Sequence, residues 1–198
     1  MSVRAEVRQH RICDDPAATI ALPMAWQRLL APGSDGIDEV GLERIGSGIA
    51  DPAALKRYVD LISPQLTQSR RAGATFGAMM AGDGDVPVAA SLLVSPLRAE
   101  PTSVAQLHVD WLVAGLDREF KRIATPLGPA LLGTLIRDIA LDDVSSASAY
   151  EWQVAIPHPN VGGLLLAFAT PLVAISDQFD DVFLAITRTV RWQESRRN

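Results

Sequence analysis

The stretch from Ser148 to Trp192 restricts the possible folds more than any other part of this chain. Tyr150, Trp152, Val154 and Ile156 alternate with Ala149, Glu151, Gln153 and Ala155. Successive side chains of a strand point to opposite faces, so the pattern predicts a half-buried strand with an aromatic inner face. Pro157, Pro159, Asn160, Gly162 and Gly163 interrupt it as a hairpin loop would. Leu164 to Phe168 is an unbroken apolar run and reads as a strand buried on both faces. Thr170-Pro171 is a helix-start signal, a capping hydroxyl followed by a proline at the first helical position. Leu172, Ile175, Phe179, Val182, Phe183, Ile186 and Val190 then recur at spacings that place them on one helical face. A strand, a hairpin, a second strand and a docked helix are therefore expected at the centre of the core.

Hairpin signals recur upstream. Thr19 to Leu22 reads as a short strand ending at Pro23, with Trp26 close behind, and residues 31–38 as a loop. The apolar residues Val40, Leu42, Ile45 and Ile49 are compatible with a strand. Asp51-Pro52 opens a helix through Leu55, Tyr58, Val59, Ile62 and Leu66, which Pro64 should kink or break near Ile62-Ser63. Residues 73–81 and 86–94 flank Gly82-Asp83-Gly84-Asp85, and residues 119–124 and 130–136 flank Thr125 to Pro129; both read as hairpins. Between them Ser103 and Gln106 stand at capping-box spacing at the head of a helix over 103–116. Asp138 to Ala147 reads as a linking loop. The sum is an α+β fold: a single antiparallel sheet of about six to seven strands with helices packed on its faces. Residues 1–15 read as an irregular N-terminal segment, 16–192 as one domain and 193–198 as a basic tail.

A chain of 198 residues can bury a sizeable core without covalent staples. Its one cysteine, Cys13, rules out a disulfide within the chain and fits a reducing compartment. Charges stand near the N-terminus where a signal peptide has its apolar region, and no apolar run is long enough for a membrane span, so a cytoplasmic protein is expected. The net charge of −5 argues against broad nucleic-acid binding. Arginines gather at the two ends, Arg4, Arg8 and Arg11 at one and Arg188, Arg191, Arg196 and Arg197 at the other. Solvated termini and an acid- or phosphate-binding patch are the two readings of them.

Chemistry-bearing residues are sparse. His10 and Cys13 supply an imidazole and a thiol with no orienting third group, and His158 lies in a proline turn. Three scattered histidines and one cysteine do not make a zinc site, and the adjacent pairs Asp142-Asp143 and Asp180-Asp181 lack further oxygen ligands at loop spacing. The glycines at 46–48 and 82–84 do not continue into a phosphate-binding loop. No catalytic, cofactor or metal residue is assigned. His108, Trp111 and Trp152 are the candidate pocket residues, lining a space between the sheet and the 103–116 helix.

The run Ile20 to Pro23 with Trp26, the segment Thr125 to Pro129, and the stretches Tyr150 to Pro157, Leu164 to Pro171 and Phe179 to Trp192 together resemble the PsbP-like fold family, most closely its LpqN-type actinobacterial members. The resemblance implies an α/β/α sandwich, no enzymatic activity, and a binding or assembly role that in some relatives is associated with secretion systems. The chain lacks the lipoprotein signal of the LpqN type, so an envelope location does not carry over, and no binding residue of the family can be matched here. The function expected is a non-enzymatic module acting on a protein partner, without a cofactor. The alternatives are a small-molecule or lipid binder, and a structural subunit of a homo-oligomer such as a homodimer joined through a sheet edge or the arginine-rich ends.

Overall fold

The computed structural model describes residues 6–34, 36–47, 52–81, 88–97, 103–113, 118–140 and 146–193. In chain order the elements are β1 (Val7–Asp14), β2 (Ala17–Pro23), β3 (Trp26–Leu30), α1 (Glu39–Gly46), α2 (Pro52–Arg71), β4 (Phe76–Ala81), β5 (Val88–Leu97), α3 (Val104–Val113), β6 (Glu119–Thr125), β7 (Gly128–Ala140), β8 (Ser146–Pro157), β9 (Gly163–Thr170), α4 (Ser176–Thr187) and β10 (Arg191–Trp192). The architecture is α+β. A seven-stranded antiparallel sheet, ordered β3-β4-β5-β9-β8-β7-β6, carries helices on its faces. A second, three-stranded sheet, β1-β2-β10, was not expected.

The main sheet separates two apolar layers. On its inner face Trp152, Val154, Leu166, Phe168, Leu92 and Phe76 meet Ile12, Ile20 and Leu22 of the small sheet and Phe179, Phe183 and Ile186 of α4. On the outer face Leu29, Leu30 and Met79 lie under Leu42 and Ile45 of α1 and Leu66 of α2. Farther along that face Leu131 and Ala155 lie under Val104 and Leu107 of α3. The inner layer is densest at its aromatic centre. The rings of Phe168 and Phe183 stack at 4.6 Å, Trp152 meets Phe168 edge-on at 5.5 Å, and Phe179 lies 5.5 Å from Phe183. Aromatic pairs in these geometries add about 0.5–1.5 kcal/mol each beyond the area they bury.

The central stretch folds largely as its pattern requires. Tyr150, Trp152, Val154 and Ile156 are all buried on the inner face. Two details differ. β9 alternates between buried and half-buried residues, because the outer face above Leu165 and Ala167 is only partly covered. The last helix begins at Ser176, after a 3₁₀ turn over Val173–Ile175, so Leu172 and Ile175 lie outside it. Thr170 cannot cap it. It is still paired with Tyr150 in the sheet, its hydroxyl donates to the Ala89 carbonyl at 2.6 Å, and it accepts from the Leu172 amide at 3.1 Å. Ile175 and Val182 are exposed, so the buried stripe reduces to Phe179, Phe183, Ile186 and the following Val190.

Other expectations need correction. The segment expected to be irregular, of which residues 1–5 lie outside the described residues, holds a strand over Val7–Asp14, which pairs along its length with β2 and buries Ile12 and Cys13, so there is no structural break at residue 15. Its polar side chains face solvent, which is why composition alone hid the strand. Val40 to Ile45 is the helix α1, in which only Leu42 and Ile45, three residues apart, turn inward. Pro64 does not break α2. Pro64 itself is exposed, while Ile62 and Leu66 pack toward the sheet and hold the helix there on either side of it. Both ends of the segment expected as a linking loop, Asp138 to Ala140 and Ser146 to Ala147, are strand, since β7 and β8 pair out to Ala140 and Ser146. The 82–85 turn, Asp51, residues 141–145 with their Asp142-Asp143 pair, and the tail after 193 lie outside the described residues. So do the side chains of Leu55 and Tyr58. No helix among the described residues is long and apolar enough to cross a membrane.

Two measurements check this packing. Phe183→Ala should cost about 3–5 kcal/mol in chemical denaturation, the range for removing a fully buried phenylalanine. Tyr150 is held protonated above its ordinary value of 10.0, first by burial and then by Asp180, whose carboxylate accepts from its hydroxyl at 2.6 Å. A folded-state value raised in this way adds stability below pH 10 that is lost as pH rises beyond it. Tyr150→Phe should therefore flatten the alkaline limb of a stability–pH curve.

Candidate functional site

Two hollows are built by residues far apart in the sequence. The first is a groove of about 410 Å³ at the β3 edge of the main sheet, bounded by β1, β3 and α1. Arg8 and His10 reach it from β1, Trp26 and Arg28 from β3, and Arg44 from α1. Asp38 is the acid that lines it, and that residue assembles the groove. Its amide donates to the Leu29 carbonyl at 2.8 Å, tying the loop to β3. One carboxylate oxygen accepts from the Gly41 amide at 3.2 Å and so caps α1; the other holds Arg28 Nη2 at 2.9 Å. Gly41 sits so close to β3 that a Cβ there would lie 2.1 Å from the Arg28 carbonyl oxygen. Only glycine lets α1 approach this far.

The electrostatics follow from that arrangement. Burial alone would raise the Asp38 pKa, but the hydrogen bonds from Arg28 and the Gly41 amide outweigh it and hold the carboxyl below its ordinary 3.8. The His10 imidazole is driven below its ordinary 6.5 by burial, then by Arg28 and Arg8, so it is neutral at pH 7. Its ring rests on Phe76 at 5.7 Å. With Arg28 partnered by Asp38, the groove keeps an excess of two positive charges in a chain of net −5. Among the described residues Arg44 makes one long contact, 3.5 Å, to Gln27. Exposed apolar side chains stand on the same elements: Val40 of the lining is 56% exposed, Val7, which precedes Arg8, 60%, and Met24, two residues before Trp26, 43%. Met24 is bonded through its amide to Glu6 and through its carbonyl to the groove residue Gln27.

The second hollow, about 630 Å³, opens where the β1–β2 turn, the loop after β3, the end of α2, the end of β5 and the β8–β9 turn converge. Cys13 lies in its wall. Burial pushes the thiol above its ordinary value of 9.0, so it is un-ionised and a poor nucleophile at pH 7. His10 and Cys13 thus belong to separate hollows and form no thiol–imidazole pair.

The pocket expected from His108, Trp111 and Trp152 is not assembled as such. His108 and Trp111 of α3 both lie against Phe120, each with ring centres 5.5 Å apart, on the outer face. Trp152 is 1% exposed and points to the inner face, against Phe168 and Phe183. The alternation of β8 already separated it from the α3 side. Beside Phe120 the outer face is closed by Arg118, whose Nη2 meets Glu151 at 2.9 Å; Arg137 shares that carboxylate at 3.2 Å. His158 Nδ1 accepts from the amides of Asn160 and Val161, and its ring meets Trp192 at 4.7 Å, so it shapes the β8–β9 turn. No group of three or more His, Cys, Asp or Glu residues is placed to hold a metal ion among the described residues. Of the arginines noted at the chain ends, Arg8 joins the groove and the described Arg11, Arg188 and Arg191 do not; Arg4, Arg196 and Arg197 lie outside the described residues. Arg28 and Arg44 were not singled out, because nothing local in sequence marks residues that converge only through α1 and β3.

Asp38→Ala should cost about 1 kcal/mol for the lost cap, and more if Arg28 is left unpaired. The Asp38 contribution is present above pH 3.8 and is lost as pH falls through the lower folded-state value. Urea titrations of wild type and variant should therefore converge in acid and separate near neutrality.

No protein-family model matches the chain, and no curated protein sequence does. Among solved structures the chain is similar to the solution structure of cyanobacterial PsbP (CyanoP) from Synechocystis sp. PCC 6803, with 12% identity over 96% of this chain and 95% of that one, at a TM-score of 0.35. A superposition this loose says nothing about what the chain binds.

Proposed function

We propose that the chain is a non-enzymatic protein-binding module and that the groove between β1, β3 and α1 receives an acidic, partly apolar segment of its partner. The observation that carries this reading is the convergence of Arg8, Arg28 and Arg44 from three separate elements on one concave surface of an otherwise acidic chain. Carboxylates docking there gain charge-assisted hydrogen bonds and are steered in by the local field. The exposed Val7, Met24 and Val40 favour a polypeptide over a small inorganic anion, which would gain nothing from apolar neighbours. The non-enzymatic reading is supported by the neutral His10, the un-ionised Cys13 and their separation. A cytoplasmic location, kinship with LpqN-type proteins of the PsbP-like fold and a link to secretion belong to the same proposal. The location rests on the single cysteine, which fits a reducing compartment, and the kinship on the late strand–helix pattern.

The test is fluorescence anisotropy with labelled peptides that alternate Asp or Glu with Leu or Val. Saturable binding that weakens with salt and drops at least about tenfold in Arg8→Glu/Arg44→Glu, with unchanged thermal unfolding, is the expected result. Equal binding of a lysine-for-acid control peptide, or full competition by inorganic phosphate at equal charge concentration, would exclude it.

A further inference from the structure

The 630 Å³ cleft is of the size that encloses small molecules, and its walls are apolar where Pro32, Ala74, Pro96, Leu97 and Val161 meet. Among the described residues one cation, Arg70, lines this space. Arg70 leaves the last turn of α2, and its Nη2 donates to the Ala31 carbonyl at 3.0 Å, which fixes the plane of the guanidinium. Its Nε is buried without an acceptor among the described residues, so the other guanidinium nitrogens are the part of the group that a ligand in the cleft could reach. Two acids stand at the same opening. Asp14 is held by Arg11 at 2.8 Å, so its charge is already answered. Asp15 is exposed, and no ion pair among the described residues engages it. The described lining therefore offers one guanidinium, one carboxylate outside any ion pair among the described residues, and an apolar wall.

We propose that this cleft binds a small zwitterion with an apolar body, of the class of the aliphatic α-amino acids, with its carboxylate on Arg70 and its ammonium on Asp15. A simple anion would be repelled by Asp15, and a simple cation by Arg70. A neutral apolar molecule would leave both charges facing a desolvated neighbour. The zwitterion meets both, and its aliphatic side chain covers Pro96, Leu97 and Val161. Thr75 keeps the wall in place: its hydroxyl donates to the Ile12 carbonyl at 2.7 Å, joining β1 to the start of β4. The cleft thus exists only once the small sheet has docked on the large one, and it shares no lining residue with the arginine groove.

Isothermal titration of the full chain with L-leucine, N-acetyl-L-leucine and L-leucinamide tests the assignment. Leucine should bind saturably, and each analogue, lacking one of the two charges, should bind at least about tenfold more weakly. Asp15→Asn, at an exposed position, should bring leucine down to the level of N-acetyl-leucine. Arg70→Gln should bring it down to the level of leucinamide, with circular dichroism confirming that both variants are folded. Equal binding of the three compounds overturns the proposal. So does the absence of saturable binding by leucine, valine and phenylalanine to the folded chain.

Discussion

The contact on which the structure depends is the stack of Phe183 on Phe168. It fastens α4 to the middle of the main sheet, and the same helix holds the small sheet from the other side. The Thr189 hydroxyl, just past the helix, accepts from the Ala21 amide at 2.9 Å and bonds the Ala21 carbonyl at 3.1 Å. β10 follows at once and pairs with β2. One aromatic contact therefore positions a helix whose end fixes β2, and β2 fixes β1. Both hollows take a wall from β1 or its turn, so both depend on the aromatic centre, and the arginine groove also meets it directly through Trp26, edge-on to Phe168 at 6.4 Å.

Asp38 has the corresponding role on the outer face. A single carboxylate caps α1, holds Arg28 and, through its own amide, ties the loop to β3. The ion pair itself is largely exposed and contributes little alone. Its weight lies in geometry, because it fixes the distance between the arginines of two elements. The close approach at Gly41 removes the remaining freedom. Two more positive charges are brought beside that clasp by Arg8 and Arg44, whose mutual repulsion is tolerated because the groove is open to water.

The parts of the chain that were legible are those where one periodicity ran uninterrupted. Alternation placed Tyr150 to Ile156 on the correct face, and the apolar stripe through Phe179, Phe183 and Ile186 identified the docked helix. The misreadings share a cause. Val7–Asp14 is a strand whose backbone is satisfied by β2 while most of its side chains are polar, so hydrophobic pattern carries little signal there. Val40 to Ile45 shows two inward residues, too few to distinguish a helix from a strand. Thr170-Pro171 has the composition of a helix start, but a cross-strand bond to Ala89 claims the threonine hydroxyl, and no local reading can see that. The arginine groove fails for the same reason, since its residues meet only after three elements have packed.

The order β3-β4-β5-β9-β8-β7-β6 joins two half-sheets at a seam between β5 and β9. During synthesis β5 emerges with one flank paired to β4 and the other bare. Its partner arrives only after α3 and three further strands. In that interval the nascent ribbon presents a row of unpaired amides beside Ala90, Leu92 and Val94, side chains that end fully sheltered. Such an edge can template a foreign strand as readily as its own. The same connectivity that gives the mature sheet its apolar middle therefore makes a half-made chain vulnerable to misassembly on the ribosome, and any delay in translation across residues 98–162 prolongs that exposure.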